Sequence, residues 1–411
     1  TRRSSDLESY MKKYWLTLSQ DTFLWLKEKE GCVYNTITHR AFSFEKTDVL
    51  IPIVDTLLQI QNLYRVSISE TQMADVDVKN WVKKLLALKC AKLILDDGMI
   101  PPPVSLKPEL KIQDTISYYR HTHDQHVDGR LMDNLHKLVI HLNDKNYLDW
   151  NYSQQSLFER KDTVLRDYRL LSQFLISMGK PYYLSEVVLV GCLWEYTDYK
   201  QLLDFFYGLS IPVSICCEEK DLVNYRKKEY DFIYKKVSFY VLITDYTSIV
   251  QLVKDSNVCY QFMIFSEEDY KNAEILIIQY HLENYRMIPI YTGDNLAFFE
   301  NNIYLSEEEL LNINLSKREI FAHQVINTNY FGVLTIGPDG KVYSGDMNEP
   351  AIGTIDESLY TIVYREMTEG HSWLRIRDQK PCCDCIYQWL CPSPSNYELA
   401  IGKPNLCHVK P

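Results

Sequence analysis

The segment EVVLVG, residues 186–191, places four consecutive aliphatic side chains between a glutamate and a glycine. A strand with one solvated face alternates apolar and polar residues, so this unbroken run predicts a strand that is buried on both faces. Five further runs of this kind are HKLVIHL (136–142), PVSICC (212–217), SFYVLIT (238–244), CYQFMIF (259–265) and YRMIPIY (285–291). Helical segments separate the six runs, and the sequence therefore predicts a parallel α/β sheet.

The predicted fold class is α/β, with the six strands closed into a partial (β/α)6 barrel over residues 131–315. Functional side chains in such folds lie at the C-terminal ends of the strands. The polar, proline-rich segment 98–130 predicts a linker or lid before the barrel. Residues 316–411 form a turn-rich tail, in which IGPDGKVYSGD (336–346) predicts a hairpin.

Residues 12–97 follow a different pattern, in which short strands precede helices. The predicted strands are TFLWLKE (22–28), CVYN (32–35) and RAFSF (40–44). A turn is predicted at Gly31, between the first two strands. In the helix that follows, Trp81 lies on an apolar stripe and Lys84 lies beside it. This pattern predicts a small α+β domain of the winged-helix type.

Composition restricts the possible partners. The chain has 411 residues, of which 46% are hydrophobic, enough for two or three domains whose cores need neither disulfides nor metal for bulk stability. Its net charge of -11 disfavours nucleic acid as a partner, because phosphate binding relies on clustered Lys and Arg. No run of about 18 apolar residues occurs and no signal peptide is recognised, so we expect a soluble cytoplasmic protein without a membrane partner.

Five of the eleven cysteines lie in PCCDCIYQWLCPSPSNYELAIGKPNLC, residues 381–407. The predicted metal ligands are Cys382, Cys385, Cys391 and Cys407. The first two form a C-x2-C pair, the third follows after five residues and the fourth after fifteen more, so four thiolates can converge on one ion or cluster. The residues leave an iron–sulfur cluster, zinc, and disulfides or free thiols open. Cys383 has no place in this spacing.

This tail resembles the SPASM domain, the C-terminal extension of radical-SAM peptide maturases, which binds two [4Fe-4S] clusters. The family's pattern is C-x(9–15)-G-x4-C, then C-x2-C-x5-C-x3-C, and a final C. Here Gly345 and Ser395 stand at two of the cysteine positions, and no cysteine lies between Cys259 and Cys382. These departures all affect the first auxiliary cluster, whereas the four predicted ligands match the second. The resemblance implies one retained auxiliary [4Fe-4S] cluster, with zinc as the alternative.

A radical-SAM protein also carries C-x3-C-x2-C after its first barrel strand, and this chain has no such motif. The family's three ligand positions fall on Lys145, Asp149 and Tyr152. These side chains cannot hold that cluster. Where the family has a Gly-Gly-Glu turn for S-adenosylmethionine, the chain keeps Gly191 but continues with Cys192 and Leu193. The resemblance therefore implies that S-adenosylmethionine is not bound.

Together, residues 131–407 resemble the pseudo-radical-SAM proteins found beside genuine radical-SAM enzymes in GG-type clusters for ribosomal peptide products. The N-terminal domain separately resembles the peptide-recognition element of such clusters, a winged-helix domain that adds a leader peptide as an extra strand. The predicted peptide-binding residues are Phe42, Phe44, Trp81 and Lys84.

The leading hypothesis is a noncatalytic partner protein that binds a precursor peptide and a genuine radical-SAM maturase. Two alternatives stay open. One is an enzyme with a repurposed site at the barrel mouth, using residues such as Lys145 and Asp149. The other is a zinc-stabilised binding scaffold.

Overall fold

The computed structural model describes residues 12–99, 101–106, 115–124, 130–143, 168–179, 183–227, 233, 236–246, 252–345, 350–370 and 372–409. The predicted loop positions Lys145, Asp149 and Tyr152 lie outside these ranges. Within them, every helix is too short or too polar to cross a membrane.

The strands of the described residues form three sheets. They are β1 (Lys13–Leu18), β2 (Thr22–Leu26), β3 (Glu30–Asn35), β4 (Arg40–Glu45), β5 (Arg65–Ser69), β6 (Ala91–Asp96), β7 (Lys137–His141), β8 (Glu186–Val190), β9 (Val213–Glu218), β10 (Ser238–Ile243), β11 (Val258–Ile264), β12 (Tyr285–Pro289), β13 (Val333–Ile336), β14 (Lys341–Tyr343) and β15 (Gly353–Thr354). The large sheet has the order β12-β11-β10-β9-β8-β7-β13-β14-β15, the meander sheet the order β2-β3-β4, and the third sheet the order β5-β1-β6.

The α-helices of the same residues are α1 (Leu50–Leu58), α2 (Glu70–Ala74), α3 (Val76–Ala87), α4 (Thr115–Asp124), α5 (Tyr168–Ile176), α6 (Tyr199–Gly208), α7 (Glu219–Tyr225), α8 (Glu267–Gln279), α9 (Leu296–Asn302), α10 (Glu307–Leu311), α11 (Lys317–His323), α12 (Leu359–Glu369) and α13 (Asn396–Ile401). Helix α10 begins at a capping box, in which the Ser306 hydroxyl accepts from the Glu309 amide.

Strands β7 to β12 are parallel and follow one another in chain order, which confirms the six predicted strands. Right-handed connections between such neighbours place their helices on one face of the sheet. That face bears apolar and aromatic side chains, and Tyr225 of α7 packs on Phe239 of β10 with 5.1 Å between ring centroids. The arrangement is a mixed α/β fold, and closure into a partial barrel stays a prediction.

The opposite face of the large sheet carries polar side chains that satisfy one another. Glu186 forms an ion pair of 2.7 Å with Lys137 and accepts hydrogen bonds of 2.7 Å from Ser214 and from Tyr240. Burial raises the pKa of Glu186, but Lys137 and these hydrogen bonds outweigh it, and the pKa lies below its usual value. This end of the sheet is therefore held by an internal polar network.

The N-terminal domain differs from its prediction in two respects. The predicted turn at Gly31 is wrong, because Gly31 lies inside β3 and the chain turns at residues 27–29. A Cβ atom at Gly31 would collide with the Phe44 ring, so glycine is required there by packing. In addition, the domain contains the third sheet besides the three predicted strands. The strands of this sheet pair across long sequence separations, which a local sequence pattern does not reveal.

The meander sheet is covered on both faces. Because side chains alternate along a strand, Val33 and Phe42 face α1 and α3, whereas Cys32 and Tyr34 face the tail. On the tail side they pack with Leu310, Leu315, Ile320, Cys385, Ile386, Tyr387, Leu390 and Cys391. The Lys27 ammonium donates to the Cys383 carbonyl at 2.6 Å. The N-terminal domain is thereby docked on the cysteine-rich tail.

Within the predicted linker, residues 115–124 form helix α4, whereas residues 98, 99 and 101–106 are irregular. Helix α4 packs on α12, where Arg120 donates to the Thr368 carbonyl at 3.2 Å and the His123 ring stacks on Tyr364 with 4.2 Å between centroids. In the tail, β13 and β14 pair antiparallel, which confirms the predicted hairpin.

Candidate peptide groove and metal centre

Strand β4 has one open edge. Among the described strands it pairs with β3 alone. The Lys46 amide donates to the Lys29 carbonyl at 2.9 Å. Hydrogen-bonded pairs alternate along an antiparallel ladder, so the backbone groups of Ala41, Ser43 and Glu45 point away from β3. An outward row of amides and carbonyls is a template for another strand.

A groove of about 480 Å³ runs between this edge and helix α3. Its lining residues, which define the α3–β4 groove, are Glu30, Ser43, Phe44, Glu45, Thr47, Leu50, Asp77, Asn80, Trp81 and Lys84. Three of the four predicted peptide-binding residues are thus brought together. The fourth, Phe42, is 9% exposed and belongs to the core below the groove.

The aromatic rings of this region form one layer. Phe44 and Trp81 lie 5.6 Å apart between centroids, and the Lys84 ammonium lies 5.5 Å from the centre of the Phe42 ring. Trp81 is 3% exposed, so most of its ring is core. Its Nε1 atom and the Thr47 hydroxyl are buried without a hydrogen-bond partner among the described residues. Two polar atoms of the groove wall therefore lack the partner that buried polar groups usually have.

Sequence reasoning missed the polar residues of the groove. Asp77 and Asn80 precede Trp81 and Lys84 by one helical turn, so they share one face of α3. This spacing of one helical turn before Trp81 and Lys84 was the signal in the sequence that could have identified the two polar residues. Thr47 and Leu50 line the groove because of the path that the chain takes from β4 to α1. No pattern in the sequence predicts that path.

The four predicted metal ligands line one cavity. This cysteine cavity is bordered by Leu305, Leu310, Arg377, Cys382, Cys385, Gln388, Cys391, Asn405, Leu406, Cys407 and Val409. Cys383 is partly exposed and absent from the lining. The four residues chosen by their spacing therefore border one cavity and Cys383 does not, while their role as metal ligands stays a prediction.

Local backbone structure positions these cysteines. The Cys385 amide donates to the Cys382 carbonyl at 3.0 Å and closes the C-x2-C turn, and the Cys391 amide donates to the Tyr387 carbonyl at 3.0 Å. Cys407 arrives from the far end of the tail, where it forms an isolated parallel bridge with Leu305. Two distant segments therefore meet at the cavity.

Arg377 is the charged residue of the cysteine cavity, and the sequence analysis missed it. Its guanidinium donates to Cys382 Sγ at 3.8 Å and to Glu398 Oε1 at 2.9 Å. Burial raises the pKa of Cys391 to about 12, while Arg377 acts in the opposite direction. A cation next to buried thiols favours the thiolate forms that metals require.

The cavity is small in its present form, with a volume of about 20 Å³. In the part of the chain that the structure describes, no group of three or more His, Cys, Asp or Glu side chains is arranged to hold a metal ion. The two observations are compatible, because four residues can line one cavity without their side chains lying at the distances and angles that a metal ion requires. The donor set fits a thiolate-bound group, and metal binding stays a prediction.

Two positions at which the SPASM pattern has cysteine serve other purposes. A Cβ atom at Gly345 would collide with the Ser372 hydroxyl, so a cysteine at this position would require Ser372 to move. Ser395 is the N-cap of α13 and shares a capping box with Glu398.

The turn after β8 is closed by a side chain. Gly191 has a φ of +115°, which favours glycine. The Asn143 amide group donates to the Cys192 carbonyl at 2.9 Å and accepts from the Cys192 amide at 3.2 Å. The backbone groups of Cys192 thus already have partners within the chain.

The chain shows distant likeness to solved structures. Streptococcus suis SuiB bound to its precursor peptide SuiA is 11% identical, with 95% of this chain and 98% of that chain covered and a TM-score of 0.42. SuiB bound to S-adenosylmethionine is 13% identical, with 94% and 97% covered and a TM-score of 0.46. Native anSMEcpe with bound AdoMet and the Cp18Cys peptide is 10% identical, with 62% and 88% covered and a TM-score of 0.40. No protein-family model and no curated protein matches the sequence.

Proposed function

We propose that this protein captures a precursor peptide as an added β-strand in the α3–β4 groove and presents it to a radical-SAM maturase, without catalysing a reaction itself. The observation that carries the proposal is the open edge of β4 beside the groove. In strand addition, backbone hydrogen bonds supply affinity, while alternate side chains enter pockets that supply specificity. Ser43 and Glu45 offer outward backbone groups where they border the groove.

The cysteine cavity is the proposed site of one resident group held by Cys382, Cys385, Cys391 and Cys407. A [4Fe-4S] cluster is the first candidate by resemblance, and it would supply one-electron redox capacity. Zinc is the second candidate, because a cavity of about 20 Å³ suits a water-sized occupant, and a bulkier cluster would have to displace the surrounding loop. Either group would tie the C-x2-C turn to the bridge at Leu305.

Two contacts support the noncatalytic role. Asn143 occupies the backbone groups of Cys192, at the turn that radical-SAM enzymes use for S-adenosylmethionine.

The proposal is tested by blocking the edge of β4. Ser43→Pro removes an outward amide while sparing the hydrogen bonds to β3, and we expect capture of the co-expressed precursor peptide to be lost. Ser67→Pro is the matched control, because Ser67 occupies an outward position on β5, at the edge of the third sheet. Equal capture by Ser43→Pro and wild type, with both folded by circular dichroism, would reject strand addition at β4.

The enzyme alternative has its own test. We expect the purified, iron-loaded protein to leave S-adenosylmethionine intact in the presence of a strong reductant. Reductive cleavage at a catalytic rate would reject the noncatalytic role and leave the peptide groove as a substrate site.

A further inference from the structure

The two ends of the α3–β4 groove differ in charge. Lys84 lies over Phe42, and Trp81 packs on Phe44, so α3 runs antiparallel to β4. Asp77 is one turn before Trp81 and thus lies beyond Phe44, towards the end of β4. The helix wall of the groove is therefore basic at the Phe42 end and acidic at the other.

The strand wall reinforces the acidic end. Glu45 is the last residue of β4, and Glu30 is its direct partner in β3. Both line the groove together with Asp77. Three carboxylates, those of Glu30, Glu45 and Asp77, therefore make this end of the groove acidic.

The middle of the groove is apolar but incompletely satisfied. Phe44, Leu50 and Trp81 provide apolar surface, and the buried Trp81 Nε1 and Thr47 hydroxyl lack hydrogen-bond partners among the described residues. Both atoms belong to residues that line the groove, so its wall holds unused hydrogen-bonding capacity beside its charges.

We propose that the groove selects a peptide segment in which a Lys or Arg and an Asp or Glu flank a central apolar residue, each two positions away from it. In an added strand, alternate residues share a face, and the outer two of three such residues lie about 13 Å apart. Asp77 and Lys84 are separated by about 10 Å along the helix axis, which flexible charged side chains bridge. The order of the two charges fixes the direction in which the peptide lies. This inference rests on the proposed strand addition and names its substrate class.

The test uses a random phage-displayed library of peptides of about ten residues, panned against the full-length protein. Binders that are lost on Ser43→Pro are taken as groove ligands. We expect them to carry the two opposite charges around an apolar residue, in one constant order. Lys84→Glu should weaken such a peptide roughly tenfold, whereas Lys83→Glu, an exposed neighbour outside the groove lining, should not.

The decisive variant combines Asp77→Lys with Lys84→Glu, which conserves net charge and reverses the groove. It should select peptides with the opposite charge order. Groove ligands without a charge order, or an unchanged order in the reversed variant, would overturn the inference while leaving strand capture standing. A library without any binder sensitive to Ser43→Pro would instead remove the proposed function, and this inference with it.

Discussion

Arg377 donates to Glu398 at 2.9 Å, and the two residues are 8% and 6% exposed. The pair joins three features of the tail, since Arg377 also contacts Cys382, and Glu398 completes the capping box of α13. A buried ion pair contributes little relative to an apolar pair, but removing one partner leaves a charge without compensation. Removal of either charged side chain is therefore expected to destabilise the tail.

We predict that Glu398→Ala lowers the free energy of unfolding by about 3 to 5 kcal/mol, because it leaves the buried Arg377 unpaired. Urea unfolding followed by tryptophan fluorescence measures the change. Glu283→Ala breaks the exposed pair with Lys254 and should cost less than about 1 kcal/mol. Similar losses in both variants would contradict the role given to burial.

We predict that Cys382→Ser strongly reduces the metal content of the protein, whereas Cys383→Ser leaves it unchanged. The two residues are adjacent, but only Cys382 lines the cysteine cavity. Iron, acid-labile sulfide and zinc are measured after anaerobic purification, and absorbance near 400 nm distinguishes a cluster from zinc. Equal metal loss in the two variants would show that cavity lining does not identify the ligands.

We predict a pH-dependent loss of stability that is due to His141. Burial lowers the pKa of His141 from 6.5 to about 4, so the folded state excludes a proton that the unfolded state binds. The stabilisation is complete above pH 6.5 and falls by about 3 kcal/mol as the pH decreases to 4. Unfolding titrations of wild type and His141→Gln measure this as a difference in pH dependence. Parallel curves of unfolding free energy against pH for the two proteins would contradict the role given to His141.

We predict that Tyr34→Phe loosens the docking of the meander sheet on the tail. The Tyr34 hydroxyl accepts from the Leu315 amide at 2.7 Å, so its removal leaves a buried amide unpaired at a cost of about 1 to 3 kcal/mol. Hydrogen exchange at Leu315 should accelerate accordingly. Tyr183→Phe, at a residue that is 52% exposed, is the control and should change neither exchange nor stability.

The parallel strands could be predicted from sequence because β7 to β11 are largely buried on both faces and read as apolar runs, while the more exposed edge strand β12 keeps enough apolar residues to be recognised. Strands β5 and β6 could not, because RVSIS is short and the start of β6 continues the apolar run of α3 through Cys90. The cysteine spacing located four side chains at one cavity. Arg377 escaped notice because a lone arginine gains its meaning only from the fold that buries it.

The packing of Phe23, Cys32 and Tyr34 against the tail limits how the N-terminal domain can be transferred to another protein. A fragment of residues 12–97 would present this surface to water and invite self-association. A fragment engineered from this domain must therefore include residues 305–409 or carry polar side chains on that side of the sheet. A domain that folds independently can usually be moved between proteins, whereas this one depends on its contacts with the cysteine-rich tail.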